Sequence, residues 1–477
     1  MQAVNQAVNA GARLDRLPVS RFHYRILGLI GAGLFLDGFE IYLQGAVLGT
    51  LVSLGWSTPA LNADFLSATF AGMVVGAWTA GIWGDRYGRR FSYQANLLVF
   101  GLASLAGALA PSMPWLIAAR FAMGIGLGAE IVVGYVLLSE FVPPASRGRW
   151  GSALAIATNS ALFVSTLVAR AVIPNLGWRW MFVLVGTGAL VVWYLRKSMP
   201  ESPRWLEAQG RTAEAERVLA AIEREVAQGR GPLAPAAPVS APTPARAPAR
   251  VLERPGLGAL FSRGLAARTL VGSAVLIALN TTIYGFIAFL PTFMVKQGVG
   301  IVTSLNYTTI MAFGGPVGAL VGFWLSDRAG RKRCIVWFSL LTLVFGAFYP
   351  TLSNPALVTL AGFLMTASLY VVVAVAWALY VPELFPTEVR MRGAGFCNTA
   401  GRLMTILTPQ IIVPLFAAAG VGGVVGLVGA LLAVQAVLVA AFGIETKERP
   451  LEALAPAWEE AAGRGAAAEA LILRSER

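Results

Sequence analysis

Five ionisable residues stand inside apolar stretches of this 477-residue sequence, and their types define the chemistry on offer. Asp37 and Glu40 share one stretch, in Asp-Gly-Phe-Glu; Arg120 and Glu130 share a second; Arg402 stands in a third. Charge is costly inside a bilayer, so each is a functional candidate by default. A buried carboxyl can take up and release a proton. An arginine cannot, and pairs bidentately with carboxylates instead. At about 1.5 Å per residue, Glu40 lies about 24 Å from one end of its helix and Arg120 roughly 8 Å from the opposite membrane face, so the two sit at similar depth. Arg402 lies about 12 Å inside its own helix by the same count and is a candidate clamp for a carboxylate ligand. Structural alternatives stand beside these readings. Glu40 and Arg120 are then a permanent ion pair sparing two buried charges, and Asp37 only bonds a neighbouring helix. Glu130 is a neutral carboxyl hydrogen-bonded between helices, and Arg402 pairs at rest with Glu130 or Asp37. Tyr42, Gln44, Asn159, Asn280, Tyr284, Trp377 and Asn398 supply polar and aromatic positions for a cavity, though each type also serves in helix packing.

The composition dictates what must hold these residues. The chain is 57% hydrophobic and 13% charged with a mean hydropathy of +0.68, which excludes an ordinary soluble domain and specifies an all-α integral membrane protein. Taking about 20 residues per span, helices are expected at 25–52, 63–83, 91–111, 115–141, 151–172 and 178–197. Six more are expected at 268–294, 303–326, 334–353, 356–381, 394–418 and 421–443. Twelve spans put both termini on one side. Arg86, Arg89, Arg90, Arg147, Arg149, Arg328, Arg331, Lys332, Arg333, Arg390 and Arg392 crowd alternate loops, which the positive-inside rule makes cytoplasmic. The net charge of +13 is thus spread over short loops and not over a soluble face, which argues against a nucleic-acid partner. Two cysteines, Cys334 and Cys397, make no disulfide framework, and no cluster of metal-ligand type occurs. Nor is an enzyme indicated, since the single histidine, His23, has no nucleophile paired with it. Gly124, Gly126 and Gly128 lack the preceding strand of a nucleotide loop and read as close-packing positions.

The order of the chain is an amino-terminal tail (1–24), a six-helix bundle (25–197), a polar connection (198–267), a second six-helix bundle (268–443) and a tail (444–477). In the connection, Ser202-Pro203 opens a helix running to about Gln228, with Val218, Leu219, Ile222 and Val226 on one face, before a proline and alanine tract begins at Gly231. The two bundles repeat one another. Asp85 and Asp327 are 242 residues apart, Glu140 and Glu383 are 243 apart, as are Arg147 and Arg390, and Glu201 and Glu445 are 244 apart. Four marks at one spacing indicate an internal duplication.

These marks carry a resemblance. Gly84-Asp85-Arg86-Tyr87-Gly88-Arg89-Arg90, its echo Ser326-Asp327-Arg328-Ala329-Gly330-Arg331, the Pro-Glu-Ser-Pro-Arg-Trp-Leu segment at 200–206 and Pro-Glu-Leu-Phe-Pro-Thr-Glu-Val-Arg at 382–390 together resemble the major facilitator superfamily, on its sugar-porter and metabolite/proton-symporter side. The segment from Ala12 to Arg25 looks like the start of bacterial inner-membrane metabolite transporters. The resemblance implies twelve helices in two pseudo-symmetric bundles, rocking about a midplane site, with no cofactor beyond a coupling proton, acting as a monomer in the inner membrane. Gly38-Phe39-Glu40 looks like the Gly-Tyr-Asp of sugar/proton symporters, and Arg120 ahead of three glycines matches their facing arginine. That implies Glu40 as proton carrier and Arg120 as its competitor. Asp37 fits the Asp-Gly-aromatic-acid order of aromatic-acid symporters, Leu-Gly-Ala-Glu130 resembles niacin-type transporters, and Gly401-Arg402 resembles aromatic-acid symporters. Asp85, Arg86, Arg89, Glu140, Arg147 and Glu201, with Asp327, Arg328, Arg331, Glu383, Arg390 and Glu445, look like the family's cytoplasmic gating network. Asn280 to Tyr284 and Trp377 match sugar porters, but the glutamine pair those porters carry is Ala274-Val275 here, and the fifth helix has no glutamine. The implied substrate is therefore a small organic acid, aromatic acids included, with protons and not sodium as the coupling ion. A sugar or polyol porter and a non-transporting sensor of the same fold are the alternatives.

Overall fold

The structure is a computed structural model that describes residues 8–143, 147–233, 235, 257–262, 265–296, 298–352, 354–385 and 389–447. Most of the proline and alanine tract and the tail beyond residue 447 lie outside the described residues, as do the side chains of Asp85, Arg147, Asp327 and Arg390. The described chain is helical and divides into two units, Met1–Ala249 and Arg250–Arg477.

The first unit contains α1 (Ala10–Asp15), α2 (Arg21–Ser53), α3 (Pro59–Tyr87), α4 (Arg89–Ala108), α5 (Met113–Phe141), α6 (Arg147–Leu176), α7 (Arg179–Leu195), α8 (Pro203–Ala208) and α9 (Thr212–Arg230). The second contains α10 (Ala266–Thr282), α11 (Leu290–Lys296), α12 (Ile301–Ala312), α13 (Gly314–Ala329), α14 (Arg331–Phe348), α15 (Pro355–Val375), α16 (Val381–Glu383) and α17 (Arg390–Phe442). Nine stretches among the described residues are long and apolar enough to cross a membrane. Apolar sequence takes this form because lipid offers no partner to a backbone N–H or C=O, so each must be satisfied within the segment. Polar caps close the ends: Thr58 Oγ1 accepts from Leu61 N–H ahead of Pro59, and Asn354 Oδ1 accepts from Ala356 N–H ahead of Pro355. Trp78, Leu320, Phe323, Trp324, Trp337 and Val437 are exposed on the outer helix faces, a surface suited to acyl chains and not to water.

In the first unit α3 runs along α5, α2 along α6, and α4 between α5 and α7; in the second, α13 runs along α15, α10 along α17, and α14 between α15 and α17. The same helices therefore pair in both units. One sequence expectation changes and another holds. The helix expected from Ser202 to Gln228 is two helices, α8 and α9, separated at Gly210, whose φ of 74° is closed to most side chains. The spans expected at 394–418 and 421–443 both fall in α17, which the non-helical Gly420 (φ 63°, ψ −161°) divides into two helices at the break expected from the sequence.

The amino-terminal tail, in which the sequence indicated no span, forms the short helix α1, which packs on α8 and α9. Ala10, Leu14 and Leu17 share a core with Leu219, Ile222 and Val226 and with Phe22, Ile26 and Phe141 at the end of the bundle. Carboxylates fix its orientation: Glu207 accepts from the N–H groups of Asn9 and Ala10 at 2.7 and 2.9 Å, and Arg13 is held by Glu216 and Glu223. The signal was present in the arginines of the tail and the glutamates of α9, but opposite charges 200 residues apart do not announce their pairing.

Candidate functional site

Four positions of α2 fall on one face, Gly33, Asp37, Glu40 and Gln44, at intervals of four, three and four residues. Asp37, Glu40 and Gln44 are buried. Glu40 forms an ion pair with Arg120 of α5, and both side chains are inaccessible to solvent. The guanidinium is further held by Thr69 Oγ1 of α3 at 3.2 Å and Met123 Sδ at 3.4 Å, and lies 4.6 Å from the centre of the Phe65 ring. One oxygen of Glu40, Oε2, and one nitrogen of Arg120, Nη2, have no hydrogen-bond partner. The pair thus retains capacity for another group.

Glu130 has a charged partner within its own unit. It forms an ion pair at 2.6 Å with Arg196, at the turn that closes α7. Sequence reading missed Arg196 because it is the next-to-last residue of its expected span, beside Lys197, where a basic residue signals only a cytoplasmic boundary. Arg196 instead turns inward: Nε donates to the Leu29 carbonyl at 2.9 Å, and the guanidinium lies 3.9 Å from the centre of the Tyr93 ring. Gly33 makes the space, since a Cβ there would overlap both Arg196 Nη2 and Glu130 Oε1. Among the described residues, Asp37, one turn along, has no hydrogen-bond partner on either oxygen, and Gln44 has none on its amide.

In the second unit, α10 and α15 each pass through a π-helical turn, Ile283–Ile287 and Ala376–Tyr380, and these turns carry Tyr284 and Trp377. The extra residue of such a turn re-aims a side chain within a helix, and such turns favour functional positions. Trp377 Nε1 donates to Asn398 Oδ1 of α17 at 2.9 Å. Asn280 Nδ2 donates to the Leu276 carbonyl at 2.7 Å and lies against Gly401, where a Cβ would meet it at 2.7 Å. Arg402, one turn after Asn398, is half-buried within electrostatic reach of Tyr284 and has no salt bridge to an acid among the described residues. Tyr42 on α2 and Asn159 on α6 are half-buried in the first unit.

The repeated loops build one device twice. Gly88 and Gly330 adopt φ values of 106° and 94°, and the following helix begins at once. Its exposed N–H groups are capped from a distance: Glu201 accepts from Arg89 N–H at 3.0 Å and Arg90 N–H at 3.2 Å, and Glu445 accepts from Arg331 N–H at 2.9 Å. A carboxylate at a helix amino terminus meets both the unpaired donors and the positive end of the dipole. Arg89 lies 3.5 Å from Glu140, and Arg331 lies 3.5 Å from Glu383. Arg86 is exposed, and Arg328 stacks 3.8 Å from the centre of the Trp324 ring.

Burial pushes the Glu201 carboxyl above the ordinary range, while the N–H groups of Ser202, Arg90 and Arg89 hold it down. A raised carboxyl makes its stability contribution in acid and loses it as pH rises from the ordinary 4.5 through the raised value. Glu201→Gln, which keeps an acceptor and sheds the buried charge, is therefore expected to cost less than about 1 kcal/mol at neutral pH. Gly88→Ala forces a side chain into a φ of 106° and into the carboxylate of Glu201, and is expected to cost about 1–3 kcal/mol. Thermal unfolding of the purified protein in detergent ranks the two; a Glu201→Gln that is the worse of them would refute the cap.

Comparison with known proteins agrees with this architecture. Residues 36–458 match the family model described as sugar (and other) transporter. The inner membrane metabolite transport protein YdjE of Escherichia coli is 38% identical over 93% of this chain and 97% of its own length. This chain belongs to the sugar-porter family of major facilitator transporters. The niacin transporter NiaP of Acinetobacter baylyi is 30% identical over 93% of this chain and 99% of its own. A partially occluded inward-open structure of the E. coli xylose transporter XylE superposes with a TM-score of 0.69 at 19% identity, covering 90% of this chain and all of that one, which establishes the fold. The protein is accordingly a multi-pass membrane transporter of small molecules.

Proposed function

We propose that this transporter carries a small organic acid, aromatic carboxylates included, together with protons by alternating access. The observation that carries the reading is Arg402: a half-buried guanidinium with no salt bridge to an acid among the described residues, within electrostatic reach of Tyr284 and one turn after Asn398, which bonds Trp377. A cation in apolar surroundings demands an anion, and a substrate carboxylate supplies one. Niacin, the substrate in the name of one relative, is an aromatic monocarboxylate. Coupling falls to Glu40, whose proton competes with Arg120 for the carboxylate, and the doubled loops at Gly88 and Gly330, with Glu140, Glu201, Glu383 and Glu445, form the cytoplasmic gate. Asp85, Arg147, Asp327 and Arg390 belong to the same network by sequence. The proposal includes twelve spans as monomer, the domain limits read from sequence, an inner-membrane location and cytoplasmic termini, the last from the positive-inside rule.

Asn280 and Trp377 favour a sugar or polyol as the second reading, which Ala274-Val275 opposes by removing two hydroxyl partners. Uptake of labelled monocarboxylates, aromatic acids and sugars into proteoliposomes, with and without an inward proton gradient, separates the two. Arg402→Ala removes a charge-assisted contact of about 1.5–3 kcal/mol, so the half-saturating concentration of the acid is expected to rise roughly 10- to 100-fold. Entry of sugars alone, or an unchanged half-saturating concentration in Arg402→Ala, would overturn the organic-acid assignment.

A further inference from the structure

The first unit buries three carboxyls, Asp37, Glu40 and Glu130, against two guanidinium groups, Arg120 and Arg196. Two ion pairs account for Glu40 with Arg120 and Glu130 with Arg196. Asp37 is the acid left over, and both of its oxygens lack a hydrogen-bond partner among the described residues. Arg196 has a complementary vacancy, since its Nη1 has no partner while Nη2 meets Glu130 and Nε bonds Leu29.

Helix geometry brings these two unmatched groups to one place. Side chains on a helix lean toward its amino terminus, so a residue covers the position one turn before it. Asp37 therefore leans over Gly33, and Gly33 is where the Arg196 guanidinium and the Glu130 carboxylate enter, in the space its missing Cβ leaves. Among the described residues, the Tyr93 hydroxyl is the other buried group near Asp37 without a hydrogen-bond partner, and the remaining neighbours are either paired or not titratable. Glu40 on the same helix is held by Arg120 of α5; α4 presents Tyr93, whose ring stacks on Arg196; α6 presents Thr158 and Ala161 beside Gly38, neither of which titrates.

We propose that Arg196 alternates between two carboxylates, Glu130 and Asp37, and that this exchange carries a proton between them. In the state described here Arg196 pairs with ionised Glu130 while Asp37 keeps its proton, which leaves the buried set neutral. In the other state the O–H bond of Asp37 breaks, the guanidinium turns to the aspartate, and the proton forms an O–H bond on Glu130. One proton moves about one helical turn toward the amino-terminal end of α2 and no charge is created. Arg196 is a positioning residue in this scheme, and Asp37 is a second proton site besides Glu40. The scheme rests on the proton-coupled reading above, but its test does not require transport.

The test is the infrared C=O absorption of protonated carboxyls in the purified protein in nanodiscs, without substrate. Asp37→Asn is expected to remove one such band, and Asp37→Glu, which guards against misfolding of the first variant, to shift it. Glu130→Gln is expected to remove the same band, because Arg196, released from Glu130, then holds Asp37 ionised. A fixed structural pair would leave the Asp37 band in place in Glu130→Gln. That result, or an Asp37→Asn spectrum identical to wild type, overturns the proposal. Absence of gradient-driven acid uptake by wild type, with the infrared pattern as expected, would instead sink the functional reading and leave the exchange standing.

Discussion

Glu40→Gln is expected to abolish accumulation of substrate against its gradient while leaving exchange of internal for external substrate intact. The amide keeps the shape and one acceptor for Arg120 but cannot bind and release a proton, so the carrier can still reorient with substrate yet no longer draws on a proton gradient. Proteoliposomes report both halves: gradient-driven uptake should fall to equilibration, and counterflow should persist. Arg120→Ala has a different outcome. It leaves Glu40 buried with no cation, and breaking a buried pair from one side costs about 3–5 kcal/mol, so the expected result is a fall in thermal stability. Arg120→Ala with Glu40→Gln should recover much of that loss, because no orphan charge remains. If Glu40→Gln still concentrates substrate, the pair is structural and the coupling acid lies elsewhere, with Asp37 first in line.

What was legible in the sequence divides by range. Helix placement was legible, because a span is a local property of about 20 residues. Pairing of Glu40 with Arg120 was legible too, since both lie in spans whose direction and depth the chain order sets. The pairing of Glu130 with Arg196 was not. It depends on a guanidinium reaching back from the end of α7 past Tyr93 into the gap at Gly33, and nothing in the spacing of those four residues declares it. In the same way, nothing in the spacing of the α9 glutamates declares that Glu223 lies below its ordinary range: burial works against the charge, but Arg13 and Arg16 outweigh it. The duplication marks carried more. Offsets of 242 to 244 residues foretold the common device at Gly88 and Gly330, although the capping carboxylates 112 and 114 residues away emerge only in three dimensions.

The duplication also locates where the units tolerate least. Gly72 and Gly76 of α3 face Gly124 and Gly128 of α5 so closely that a Cβ on any of the four would overlap backbone of the opposite helix: Phe121, Ile125, Thr69 and Met73 in turn. Exactly the same offset of 242 residues leads from Gly72 and Gly76 to Gly314 and Gly318 of α13, which press on the Phe363 and Ala367 carbonyls of α15. Lipid supplies no hydrophobic drive between helices, so close backbone approach is what binds them. Backbone cannot rotate aside as a side chain can, so Gly128→Ala must push α3 and α5 apart. The expected cost is about 3 kcal/mol, and the melting temperature should fall by roughly 6–12 °C. The displacement would reach Thr69 and Arg120, both on these helices, and so weaken the hold on Glu40. Gly28→Ala is the control: nothing lies within 4 Å of its Cβ position, so alanine should be neutral or stabilise by about 0.5–1 kcal/mol through the unfolded chain. Opposite signs for one substitution at two helical glycines, read in a single thermal-unfolding series, would establish that the α3–α5 contact and not helix propensity sets the stability of the first unit. Equal effects at both positions would mean that the helices are held by something other than this interlock.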